Sequence, residues 1–139
     1  MDIKIDTNAK EIGKRIKKKG KALSASVKRA LSITAQSGVN IIQARTSKGV
    51  GFEGKLKSYT PLYAAFRESK GRGSVPDLNF TGQMMSSMTT RADSRQAEIF
   101  FARATESKKP AMNNKTRPFF GFNGKEEKRL GEIFFRALK

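Results

Sequence analysis

The sequence predicts an α+β fold: a long N-terminal amphipathic helix, two short helices, a small and mostly antiparallel sheet with a hairpin, and a C-terminal helix. Three observations predict it. Apolar residues recur at helical spacing across residues 8–45 and again after residue 125. Two short apolar-alternating runs, 88–92 and 96–103, flank the turn-forming Asp93-Ser94-Arg95. Between them, threonine, proline and glycine stand where short elements start and stop. The chain has 139 residues, the length of one domain, so a single α+β domain is expected over 1–139.

Residues 1–7 form an edge strand or an arm, because Ile3 and Ile5 alternate with Asp2, Lys4 and Asp6. The long basic helix follows over 8–45. Asn8 with Glu11 makes a capping box. Ile12, Ile16, Leu23, Val27, Ala30, Leu31, Thr34, Gly38, Ile41 and Ile42 fall on one side of it. Lys10, Lys14, Arg15, Lys17, Lys18, Lys21, Lys28 and Arg29 fall on the other. Unbroken, this helix would be about 57 Å long, against about 37 Å for a compact domain of this size. Either it breaks near Gly20 or its first turns project.

The remainder, 46–139, holds the sheet, the short helices and the C-terminal helix. Residues 47–58 form a glycine-rich loop around Gly49, Gly51 and Gly54. Thr60 caps a short helix with Pro61 at its first position and Gly71 as its stop. Leu62, Tyr63 and Phe66 are expected on its buried side. A flexible basic loop, 70–74, leads to a second short helix over 82–88 capped by Thr81, with Leu78 or Phe80 stapling to Met84 or Met85. After the hairpin, the polar residues 105–116 read as a loop, with room for a helical turn, and 117–122 (Arg-Pro-Phe-Phe-Gly-Phe) as a short strand. The last helix begins near Lys125, capped by Asn123 and Glu126, with Leu130, Ile133, Phe134, Ala137 and Leu138 as its stripe.

Composition narrows the function. Twenty-nine Lys and Arg against 12 Asp and Glu leave a net charge of +17. A chain so basic associates with polyanions, nucleic acid first. There is no cysteine and no histidine, which removes thiol chemistry and the commonest general base and metal ligand. Glu126 and Glu127 are adjacent and face different sides of a helix, and Glu11, Glu53, Glu68 and Asp77 stand apart in sequence. No carboxylate pair or phosphate-loop motif points to catalysis. The expectation is no enzyme, no metal and no cofactor. No apolar run reaches the roughly 20 residues of a membrane span. The N terminus lacks a secretory signal core, so the cytoplasm is the expected place of synthesis.

The basic candidates for facing DNA or a partner are Lys14, Arg15, Lys17, Lys18, Lys21, Lys28, Arg29 and Arg72. No aromatic residue lies between Ile12 and Ala44, so base stacking from the long helix is not expected. Adjacent phenylalanines cannot both point inward from a strand or helix. Phe100, Phe120 and Phe135, with Met85, are therefore the candidate subunit-interface residues.

One combination carries a resemblance. Arg45, then Gly49-Val-Gly51-Phe-Glu-Gly-Lys55, then Ser58-Tyr-Thr-Pro-Leu-Tyr-Ala64 with Arg67, then Asp77-Leu-Asn-Phe-Thr-Gly-Gln-Met84, then Arg117-Pro-Phe-Phe-Gly121 occur in that order. This order resembles the virion-morphogenesis proteins of tailed bacteriophages, the tail-completion or neck (head–tail connector) group. The resemblance spans about residues 45–121. It implies a structural virion protein with no catalytic residues, forming a homo-oligomeric ring at the head–tail junction through which DNA passes. It implies contact with neighbouring head-completion or adaptor and tail-terminator or tail-tube proteins, and sequence-independent proximity to DNA. Two other functions are expected less from these residues: a nucleic-acid-binding protein acting without a ring, and an amphipathic membrane-surface role for 8–31, which lacks the Trp and Phe that anchor such helices.

Overall fold

The computed structural model describes residues 3–6, 20–79 and 82–138; for 3–6, 20–21 and 104–108 it describes the backbone alone. The fold is α+β. In chain order the elements are β1 (Ile3–Asp6), α1 (Gly20–Thr46), β2 (Val50–Gly51), β3 (Gly54–Lys55), α2 (Pro61–Ser69) and α3 (Gln83–Ser86). They continue with β4 (Met88–Ala92), β5 (Gln96–Phe101), α4 (Ala104–Thr116) and α5 (Gly124–Ala137). The described residues group into two compact units. The first comprises Ile41–Met88 and Phe101–Asn123; the second comprises the described parts of Asp2–Asn40, with Thr89–Phe100 and Gly124–Lys139.

The second unit is built on α1. Val27, Ala30, Leu31, Thr34, Ala35 and Val39 are buried, the i, i+3, i+4, i+7 repeat that a helix needs to cover a core. Burying Val27, Leu31 and Val39 contributes about 1.5–3 kcal/mol each, and the smaller side chains less. Lys28 and Arg29 are exposed on the same helix. The capping box at Asn8, the apolar Ile12 and Ile16, and the question of a break before Gly20 lie outside the described residues. The first strand does join the sheet: β1 pairs antiparallel with β5, Ile3 opposite Ile99 and Asp6 opposite Gln96. The strand order is β1-β5-β4, so β5 is central, and its Ala97 and Ile99 are fully buried. Asp93 closes the β4–β5 turn. Its Oδ1 accepts from the backbone N–H groups of Arg95 (2.7 Å) and Gln96 (2.8 Å). These bonds, the first above all, hold its carboxyl below the usual carboxylate range. α5 buries Leu130 and Phe134, as its stripe predicts. Ser26 Oγ on α1 donates to the carbonyl of Leu138 just beyond it (3.3 Å).

The first unit departs further from expectation. Residues 47–58 are a tight two-stranded ribbon, with Val50 opposite Lys55 and Gly51 opposite Gly54. α2 is capped as read: Thr60 Oγ1 accepts from Tyr63 N–H at 3.3 Å, and the chain leaves the helix through Gly71 at φ +72°. Its exposure is the reverse of the expectation. Leu62 is 85% exposed and Phe66 47%, whereas Arg67 is 1% exposed. α3 is only four residues long and starts from Gly82 at φ +82°. The Thr81 cap and the Phe80 staple fall outside the described residues, and Met88 belongs to β4.

Residues 105–116, read as a loop for want of an apolar stripe, lie in the 13-residue helix α4. Tertiary contacts override the weak local signal there. Pro110 is fully buried, and Asn113 Nδ2 lies 3.8 Å from Met84 Sδ on α3. Residues 117–122 are irregular rather than a strand. Their backbone groups are held by side chains instead. Asn114 Oδ1 accepts from both Phe119 N–H and Phe120 N–H at 3.0 Å. Arg45 donates to the carbonyls of Phe119 (2.8 Å) and Gly121.

The close approach of this segment to the ribbon depends on Gly51. A Cβ there would stand 2.0 Å from the carbonyl oxygen of Pro118 and 2.7 Å from Leu56 Cδ2. Gly131, inside α5, would meet nothing within 4 Å. Gly51→Ala is therefore expected to destabilise the fold by about 3 kcal/mol. Gly131→Ala is expected to stabilise it by roughly 0.5–1 kcal/mol through helix propensity. Urea unfolding of the two variants checks the pair, and a tolerated Gly51→Ala would contradict the packing described for Pro118.

Candidate functional site

The most developed site lies within the first unit, around Tyr59. Its ring is flanked by two guanidinium groups: Arg67 Cζ is 4.9 Å from the centroid and Arg117 Cζ is 4.7 Å away. Both arginines are anchored by carbonyls. Arg67 donates from Nε to Gly73 O (3.0 Å) and from Nη2 to Arg72 O (3.4 Å). It also donates from Nη2 to Asp77 Oδ1 (2.9 Å). Arg117 donates from Nε to Lys57 O (2.6 Å) and from Nη2 to Ser58 O (3.0 Å). The Tyr59 hydroxyl accepts from Leu78 N–H at 3.1 Å. Leu78 stands at φ +57°, a conformation that costs a branched side chain free energy.

Burial raises the Tyr59 phenol above its ordinary value near 10, the Leu78 hydrogen bond and the nearby Arg67 charge opposing it. The phenol is therefore neutral across physiological pH.

A cleft of about 520 Å³ opens beside this group, lined by Tyr59, Tyr63, Arg67, Lys109 and Arg117 together with Thr60, Leu78, Gly82, Met84 and Asn113. Three of these are cations and none is a carboxylate. The volume falls within the range of small-ligand sites, about 300–1,000 Å³. Tyr63 meets Tyr59 edge-on (centroids 4.9 Å) and stacks on Phe66 (6.2 Å, 27° between planes). Lys70 Nζ lies 5.9 Å from the Phe66 centroid. Three rings thus run from the cleft along α2, with the Arg67 and Arg117 guanidiniums at the Tyr59 end and Lys70 at the Phe66 end.

The residues named from the sequence are placed otherwise. Lys14, Arg15, Lys17 and Lys18 lie outside the described residues, and Lys21 is described only as backbone in the first turn of α1. Lys28 and Arg29 are exposed on α1 in the second unit. Arg72 is exposed, and its backbone serves the Arg67 anchor.

Two interface candidates are corrected. Phe120 is 4% exposed and Met85 9%. The alternation argument assumed a strand at 117–122. An irregular segment does not alternate, so Phe119 and Phe120 both turn inward and join Phe101 (centroids 5.0–6.4 Å). Met85 lies on one turn of helix whose neighbour Met84 is also buried. Phe100 is half-buried beneath the Arg91 guanidinium (4.7 Å). Phe135 is 66% exposed beside a buried Phe134, as one helical step of about 100° requires.

Sequence reasoning named Tyr59 and Arg67 only within the resemblance, met Asp77 as an isolated acid and Arg117 as the start of a strand, and assigned none of them a role in a site. The available signal was the i, i+4 spacing of Tyr63 and Arg67 on α2, with Tyr59 just before the Thr60 cap. Comparison of the chain with protein-family models, with curated proteins and with solved structures returned no match.

Two measurements test this site. Asp77→Ala strands the buried Arg67 cation and is expected to cost about 3 kcal/mol, the lower end for a buried pair, because Asp77 keeps some water contact. A loss below ~1 kcal/mol in denaturant unfolding would show that the carbonyls alone satisfy Arg67. For Tyr59, the folded value exceeds the unfolded one, so its contribution to stability is present below pH ~10 and lost as pH rises through the folded value. The chain has two tyrosines, so Tyr63→Phe leaves Tyr59 alone. Its phenolate absorbance is expected to develop with a midpoint above 10, and a midpoint at or below 10 would contradict the burial.

Proposed function

We propose that this chain is a structural protein of a tailed-phage neck, a tail-completion protein that assembles as a ring at the head–tail junction. DNA passes through the ring, and the basic face from Lys14 to Arg29 lies toward DNA or a neighbouring connector protein. One observation supports this reading above the others. The scattered segments that carry the resemblance fold into one unit and are tied together by their own side chains. Arg45 holds the Phe119 and Gly121 carbonyls, Gly51 admits Pro118, Arg67 pairs with Asp77, and Arg117 spans Lys57, Ser58 and Tyr59. The five segments thus pack as one scaffold, which supports reading them together as one motif set. Exposed Phe135 and, at 44%, Ile33 supply apolar surface for contact between subunits.

Cryo-electron microscopy of purified virions tests the proposal directly: ring density of this chain between portal and tail is the expected result. Absence from virions combined with retention on DNA in lysate would overturn it in favour of a nucleic-acid-binding protein acting without a ring. Charge reversal at Lys17, Lys18 and Lys21 is expected to leave the circular dichroism spectrum unchanged and to reduce the yield of infectious particles. A normal yield would remove the basic face from the mechanism.

A further inference from the structure

We propose that the aromatic face of α2, with the basic cleft beside it, is a binding surface for single-stranded nucleic acid. It is separate from the basic α1 helix and independent of the ring assignment. Binding of single strands needs flat rings on which unpaired bases stack, and cations close by to neutralise phosphates. The first unit offers both. Tyr63 and Phe66 are 38% and 47% exposed, and Tyr63 is shared between the cleft and the stacked pair. Lys70 borders Phe66, and Lys109 and Arg117 line the cleft, whereas Arg67 in the same lining is buried and paired with Asp77.

The rings are held ready. Tyr63 is braced edge-on by Tyr59, which packs against the Arg67 and Arg117 guanidiniums. A pre-set ring loses little conformational freedom when a base stacks on it. Leu62, 85% exposed and one turn before Phe66, extends the apolar surface.

The chemistry favours a single strand over a duplex. In a duplex the bases are already stacked on one another and present only edges and phosphates, so exposed rings gain nothing. A single strand offers a free face at each base. An acidic peptide would satisfy the cations and leave the ring stacking unexplained.

The test uses the full chain at ~0.15 M salt, with a labelled oligothymidylate of about 16 nucleotides, a duplex of equal charge, and heparin as a polyanion without bases. Tyr63→Ala with Phe66→Ala keeps the net charge. It is expected to weaken oligothymidylate binding about 10-fold or more and to leave heparin and duplex binding within about twofold. The chain has no tryptophan, so tyrosine fluorescence of the unmodified protein gives a second readout that requires no variant. Oligothymidylate should quench it and heparin should not. Equal losses for all three ligands, unchanged oligothymidylate binding, or quenching by heparin would each overturn the proposal. Tight binding of a poly-glutamate peptide that competes with oligothymidylate and is equally weakened by the double variant would reassign the surface to an acidic protein. None of these outcomes bears on whether the chain forms a ring, which virion microscopy decides.

Discussion

The first unit depends on a buried cation. Arg67 is 1% exposed, and an uncompensated charge at that depth would cost several kcal/mol. The chain offsets the cost with the Gly73 and Arg72 carbonyls, the Asp77 carboxylate and the face of Tyr59. A guanidinium suits this task because its donors form a rigid fork while its plane stacks on a ring. The consequence is long reach from one side chain. Arg67 fixes the 70–77 loop to α2 and orients Tyr59. Tyr59 in turn receives the Leu78 N–H and the second guanidinium of Arg117. Lysine would carry the same charge without the fork or the stacking plane.

The same economy operates where regular structure is missing. Residues 117–121 have no sheet partner, yet buried backbone groups require hydrogen bonds. Side chains supply them: Asn114 for the Phe119 and Phe120 N–H groups, Arg45 for the Phe119 and Gly121 carbonyls. Glycine at 51 lets the segment come within reach of the ribbon, where Phe52 N–H donates to Pro118 O (3.3 Å). The arginines in the motif set therefore act on the protein's own carbonyls. Their conspicuous positive charge is partly structural, which moves the search for function to the surface that remains outside.

That surface divides by chemistry. Exposed lysine and arginine on α1 offer charge without rings. α2 offers rings and charge together, in a unit whose interior clamp holds those rings in place. A scaffold protein at a DNA-conducting junction and a binder of unpaired strands make different demands, bulk charge in one case and ordered aromatic faces in the other. The two units present these features on different elements.

Much of the fold is determined by local sequence. The stripe of α1 from Val27 to Ile42, the hairpin around Asp93, the Thr60-Pro61 start of α2 and the Leu130–Phe134 stripe of α5 each follow from periodicity or capping, which act over a few residues. Tertiary structure decided the rest. α4 forms without an apolar stripe because distant contacts hold it. Residues 117–122 stay irregular because side chains, not a neighbouring strand, satisfy their backbone, and this turned both Phe119 and Phe120 inward. α2 faces the opposite way from its hydrophobic pattern because burying Arg67 with Asp77 and Tyr59 takes precedence over burying Leu62 and Phe66. Such pairings join residues separated by loops, and a local pattern carries no record of the partner that makes a buried charge affordable.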